Sequence, residues 1–237
     1  MPAGAITTTS FWDAREAKTV NATQVDVNLL RTNNCLPDGA VVYVASTAAV
    51  TASTMPAVRL VNGQQLPAGG MTVVSQNPVY VLGNYNTVGK RPAAIMGDAI
   101  TVLSQAWADS NLLADPLKRY DALGNAAKTS RKAATTTVNA AFALGPGAES
   151  TQNLGNGQLE NSIRFLEDWG VGGGKTFNYA GSIIALWHST QATGQWACCT
   201  YYGPPTRNWS YDTLFNTSPP PGTPQGVIMS KGRWSQS

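Results

Sequence analysis

The sequence predicts a mainly β fold: a right-handed β-helix or solenoid-like stack with two short helices and long loops. Three observations predict it. Short runs rich in β-branched residues recur at Val58–Val61, Thr72–Ser75, Val79–Leu82 and Ile100–Leu103. The pairs Asn62-Gly63 and Gly83-Asn84 punctuate them, and these residue types accept the left-handed backbone angles of a sharp corner. Charged residues make up only 12% of the 237, so Ser, Thr, Asn, Gln and Gly fill the polar positions, a balance common in extracellular β proteins.

The length fits one domain with a substantial core. Its expected parts are an N-terminal cap with a helix (10–50), a β core (51–190) and an aromatic, Pro-rich wrapping tail (191–237). The first helix is expected over 19–31, with Val25, Leu29 and Leu30 on one face and Asn21 or Thr23 as cap. Pro37-Asp38-Gly39 turns the chain into a strand at Ala40–Ala45. Residues 105–133 are irregular and polar and read as an excursion from the core. Thr135–Leu144 returns to strand. A second helix is expected over 157–169, where Leu159, Ile163 and Leu166 form a stripe joined by Phe165 and Trp169, and Gly170–Gly174 stops it. Strands follow at Thr176–Tyr179 and Ser182–His188. The segment Pro219–Pro224 favours an extended polyproline path over the surface.

Several functions are argued against. The net charge is only +3, and the densest basic group, Lys128 to Lys132, has no aromatic neighbour, so no nucleic-acid footprint is expected. The three cysteines allow one bridge, from Cys35 to Cys198 or Cys199, or unpaired thiols. One histidine in the whole chain argues against zinc. No segment is long and apolar enough to insert in a membrane. Gly174-Lys175-Thr176 resembles the end of a phosphate-binding loop, but Trp169 stands where its first Gly belongs. His188 has no nucleophile elbow near it in sequence. Asp98, Glu160, Glu167 and Asp168 could form carboxylate pairs, yet Asp98 reads better as a turn cap or a backbone acceptor. No catalytic, cofactor-binding or metal-binding residue is assigned.

The aromatic residues remain. Trp196, Tyr201, Tyr202, Arg207, Trp209 and Tyr211 are the candidate contact surface, within the loop regions 105–133 and 190–224. The same rings could stack on sugars or clamp a loop to the core.

Long phrases of the chain resemble one family of bacterial proteins: Phe11–Lys18, Val58–Gly63, Leu66–Asn86, Pro92–Trp107, Thr137–Ala141, Arg164–Trp169 and Pro205–Asp212. The set is similar to the C-terminal regions of large pilus-assembly proteins of the PilX type, over about residues 10–224. The resemblance implies an exported domain at the periplasm or cell surface, cut from a longer protein, with type IV pilus or secretion-filament subunits as partners. It implies no catalytic residues. The expected function is therefore a non-enzymatic extracellular structural or interaction domain. The alternatives are a β-helix that binds or cleaves polysaccharide, and a cytoplasmic scaffold polymer.

Overall fold

Fourteen strands, one short α-helix and two 3-10 turns account for the regular structure of the described residues in the computed structural model, which are 1–109, 131–147, 159–170, 174–196 and 201–223. The first sheet holds, in spatial order, Ile6–Asp13 (β1), Lys18–Asp26 (β2), Thr54–Val61 (β4), Val79–Leu82 (β6), Ile100–Leu103 (β8) and Ile163–Phe165 (β11). The second runs from Ala40–Tyr43 (β3) through Met71–Val74 (β5), Ala93–Gly97 (β7) and Ala141–Leu144 (β10) to Ile183–Ala185 (β13). The third is Thr136–Asn139 (β9), Thr176–Gly181 (β12) and Thr206–Tyr211 (β14). Among the described residues only β1 and β2 pair antiparallel, and every other ladder is parallel.

Parallel register sorts the apolar side chains into columns. Val42, Val73, Ile95, Phe142 and Ile183 align across the second sheet. Val25, Leu60, Val81, Val102 and Phe165 align across the first. These columns meet in the main core with Trp169, Phe177 and Tyr179. The first sheet is buried on its other face too. There Phe11, Val20, Met55, Tyr80, Leu103 and Leu166 form a second cluster, with Trp107 packed on it. Burial on both faces is the normal condition of parallel strands and explains their continuous apolar runs.

The chain is mainly β, as its composition suggests, but the β-helix or solenoid expectation is corrected. The strands form separate parallel and mixed sheets, and among the described residues no closed or coiled β-helix is shown. Successive strands of the first sheet start at Thr54, Val79, Ile100 and Ile163, at no constant interval, whereas repeat architectures need a fixed period. The Asn-Gly corners are real: Asn62 and Gly83 have φ of +55° and +76°. They turn the chain out of a strand, and such corners look alike in sequence whatever sheet comes next.

The two helices are corrected as well. Lys18–Asp26 is strand, paired on both sides by β1 and β4, and the helix (α1) covers only Val27–Thr32. The reason is local: Thr19, Val20, Thr23 and Val25 are β-branched and fit a pleated surface better than a helix. Asp26 caps α1, its Oδ1 accepting from the Leu29 amide at 2.8 Å, in place of Asn21 or Thr23. The 157–169 stripe also fails. Leu159–Asn161 is a single 3-10 turn, and Ile163–Phe165 continues the columns of Ile100 and Val102 as β11. Ile163 and Phe165 alternate with Arg164, which is strand spacing rather than helical spacing. Residues 157 and 158 lie outside the described residues.

Phe142 is fully buried in the central strands of the second sheet. Phe142→Ala should cost about 3–5 kcal/mol in urea unfolding, whereas Val41→Ala on the exposed edge strand should stay within about 0.5 kcal/mol.

Candidate functional site

The third sheet ends in a strand that buries little of itself. Along β14 only Trp209 is half-buried; the other five residues are exposed. The parallel register places Arg207 beside Phe177, Trp209 beside Tyr179, and Tyr211 beside Gly181. The alternation of a strand puts Arg207, Trp209 and Tyr211 on one face. Trp209 packs edge-on against Phe177 and Tyr179, at centroid distances of 6.1 and 5.8 Å. The Arg207 guanidinium lies over its ring, 5.0 Å from the centroid, and also donates to Asn161 Oδ1. Such a contact holds the ring plane as well as adding affinity.

Beside this row lies a cleft of about 390 Å³, lined by Leu159, Tyr179, Ile183, Trp209 and Tyr211 with Ser182 and Ser210. The short edge strand β13 and the edge strand β14 thus border one opening. Tyr211 is 54% exposed, and just past β13 Leu186 is 71% exposed. A hydroxyl at Tyr179 donates to the Ser182 carbonyl at 2.8 Å and fixes the floor of the cleft. Gly181 is needed here for space: a Cβ would come within 2.0 Å of the Ala140 carbonyl oxygen.

A buried polar strap returns the chain from β13 towards β14. Asp98 accepts from the Ser189 hydroxyl at 2.5 Å, from Thr190 N and Oγ1, and from the amides of Gln191 and Ala192. Burial alone would raise the Asp98 carboxyl, but these donors outweigh it and hold it below its ordinary value. Arg164 donates to the Ala192 carbonyl and to Glu16 Oε1, both at 2.6 Å. Glu16 Oε2 in turn accepts from the Gly194 amide, and Arg15 Nε donates to the Gly194 carbonyl. Desolvation, with Arg164 beside it, pulls Arg15 down to about 9. Glu167 accepts from both the amide and hydroxyl of Ser104. Burial pushes its carboxyl up from about 4.5 to about 7, against those donors and Arg131. Each of these groups is occupied in fastening backbone.

The structure divides the six sequence-predicted contact residues. Trp209 and Tyr211 line the cleft, and Arg207 steadies Trp209. Tyr202 is buried against Phe165, and its hydroxyl accepts from Trp196 Nε1 at 3.2 Å. Tyr201 is half-buried, and its carbonyl accepts from Arg131. These three serve as the clamp. Leu159, Tyr179 and Ile183 complete the cleft without a sequence signal of their own: Tyr179 arrives through the pairing of β12 with β14, Ile183 through that of β13 with β10, and Leu159 on its 3-10 turn. His188 is exposed at the end of its segment. Cys35 is an exposed free thiol, while Cys198 and Cys199 lie outside the described residues, as does 110–130 of the expected contact region. Residues 105–109 lie against β1 and β4, where Asp109 accepts from the Thr9 hydroxyl at 3.0 Å and pairs with Arg59 at 2.7 Å. Among the described residues no cluster of three or more His, Cys, Asp or Glu could hold a metal. None of their helices is long and apolar enough to cross a membrane.

No family model matches the chain, and no curated protein or solved structure is similar to it. The pilus resemblance therefore has the quoted phrases as its only support.

Two outcomes follow from the strap. Asp98→Asn keeps the side-chain size but removes the charge that five donors share; it should cost about 2–4 kcal/mol and speed hydrogen exchange at Thr190, Gln191 and Ala192. Unchanged exchange there would show that the strap is held by something else. Glu167 has a folded value above its unfolded one, so between about pH 4.5 and 7 the folded chain keeps a proton the unfolded chain has lost. Stability should fall as pH rises across that window and level off above it, and Glu167→Gln should shrink the slope in unfolding titrations.

Proposed function

We propose that the protein is a non-enzymatic structural or interaction domain, and that it meets its partner through the aromatic cleft between β13 and β14. The observation that carries this reading is the row Arg207–Trp209–Tyr211, which closes the core on one side and faces solvent on the other. Large aromatic side chains with an Arg beside them are the residue types enriched at the energetic centres of interfaces. A non-catalytic role is supported by the fate of the titratable groups. The carboxylates with displaced pKa, Glu16, Asp98 and Glu167, are all engaged by backbone donors, and none lines the cleft. The setting on a type IV pilus or secretion filament, outside the inner membrane, is supported by the sequence resemblance.

A polysaccharide-binding reading has one observation of its own. A separate cleft of about 510 Å³ is lined by Thr8, Ser10, Asn21, Thr23 and Ser46, with no ionised side chain. Hydroxyls and an amide of this kind suit neutral polyols. Retention on immobilised glycans that disappears in Asn21→Ala would favour it.

The main reading is tested by placing a photo-crosslinking phenylalanine at position 211, and at exposed Val50 as control, in cells of the source organism. A discrete adduct from position 211 that Trp209→Ala removes, and that contains a filament subunit by mass spectrometry, is the expected result. Equal adducts from both positions, or none from 211, would sink the assignment of this surface.

A further inference from the structure

We infer that β14 is a docking edge at which an extended peptide segment of the partner adds as a fourth strand to the third sheet. The inference rests on the interaction reading above and names the chemistry of what the surface takes. Among the described residues β14 is the last strand of its sheet, with β12 on one side and no strand on the other. The Thr206 amide donates to the Lys175 carbonyl at 3.1 Å, and the Asp212 amide to the Gly181 carbonyl at 3.2 Å. In a parallel ladder the residues bonded to the neighbour alternate with those turned away. The even-numbered residues therefore face β12. Arg207, Trp209 and Tyr211 turn their N–H and C=O groups to the open edge. Three donors and three acceptors at strand spacing are complementary to one thing, an extended backbone.

The opposite edge of the same sheet is already closed, which marks β14 as the exception. There the Tyr85 amide donates to the Thr137 carbonyl, the Asn139 amide to the Tyr85 carbonyl, and Asn84 Oδ1 accepts from the Thr137 amide. Exposed edges are ordinarily blunted by short length, Lys, Pro or a bulge. β14 has six residues, contains neither Lys nor Pro, and pairs in unbroken register with β12.

The side-chain columns specify the pattern of the incoming strand. Thr137, Asn178 and Asn208 form one column, with Asn208 Nδ2 donating to Asn178 Oδ1 at 2.8 Å and Asn178 Nδ2 to Thr137 Oγ1 at 3.2 Å. A further amide or hydroxyl residue extends it. Val138, Tyr179 and Trp209 form the next, which an aromatic or aliphatic residue extends. Beside Arg207 an aromatic ring would meet the guanidinium. The partner segment is thus extended, with a small polar residue flanked by two aromatic or apolar ones.

The probe is a soluble peptide carrying the β12 sequence Thr-Phe-Asn-Tyr-Ala-Gly, which satisfies that pattern, with flanking lysines. Its control has the same side chains but N-methyl groups on alternate amides of the edge that would face β14. Titration by calorimetry or fluorescence of the tryptophans should give saturable binding of the parent peptide and at least a tenfold loss with the N-methylated one. Arg207→Pro removes one outward donor and leaves the bond of Thr206 to β12 intact; it should weaken binding at least tenfold more than Arg207→Ala. No saturable binding up to about 1 mM would overturn strand addition. Equal binding of both peptides, abolished by Trp209→Ala, would also overturn it while leaving the cleft as an interaction surface. The crosslinking result at position 211 stands apart from both.

Discussion

The fold depends on how the chain between β13 and β14 is held down. Residues 189–194 cross from one sheet towards another and carry backbone groups that water cannot fully serve. Asp98, Glu16, Arg15 and Arg164 take over that task. They come from three distant stretches, so one short strap ties the first hairpin to β11 and to the turn after β7. The Glu16–Arg164 pair is almost wholly buried. A buried pair gains little net stability over apolar packing of the same volume, because desolvation opposes the Coulomb attraction. Its value here is geometric. Both partners spend their remaining hydrogen-bonding capacity on the Ala192 carbonyl and the Gly194 amide, so the charges fix where the strap runs. That path decides where the chain re-enters the sheet region as β14.

Burial of the first sheet on both faces makes such straps necessary. A parallel sheet must return each strand by a crossover, and those crossovers lie over the faces of the sheets. Among the described residues, the outer cluster of Phe11, Met55, Tyr80 and Leu166 is met by the loop residues Trp107 and Ala192. Loops bring polar backbone with them, so polar side chains appear inside the cover. Tyr80 donates to Asp13 at 2.6 Å, and Asp13 also accepts from the amides of Arg15 and Glu16. The low charge content of the chain is compatible with this economy: many of its ionised groups are internal fasteners, while Thr, Ser and Asn cover the outside.

Much of the β content was legible, and the reasons for the failures are physical. Runs such as Val79–Leu82 and Ile100–Leu103 are β-branched, short and bounded by turn residues, which leaves strand as the only good fit. The same features do not say which sheet a strand joins, since that is set by partners far away in sequence. Hence the sequence alone predicts one repeating stack where the structure has three sheets. Val25, Leu29 and Leu30 have helical spacing, but Val25 belongs to β2 and Leu30 to α1, so the period crosses an element boundary. In the site, aromatic enrichment found Trp209 and Tyr211. It could not separate them from Tyr202, whose ring is covered by Phe165, a contact between residues with no local pattern in common. Leu159 and Ile183 look like core residues in sequence and become surface only because the sheets end beside them.

Where the third sheet ends also bears on the surface proposed for binding. Within the sheets Tyr179 has an aliphatic or aromatic neighbour on both sides along its column, Val138 and Trp209. The last member of a column has one neighbour only. Its other side must be covered by loop, by solvent or by a partner, and solvent is the costly choice for an indole. Arg207 covers part of the Trp209 ring. A guanidinium is a weakly hydrated cation that leaves such a surface at low cost when a better neighbour arrives. The indole N–H of Trp209 is buried with no acceptor among the described residues. An open backbone edge and an apolar cleft at one strand are two separate deficits, and a single extended segment with alternating apolar side chains would relieve both at once.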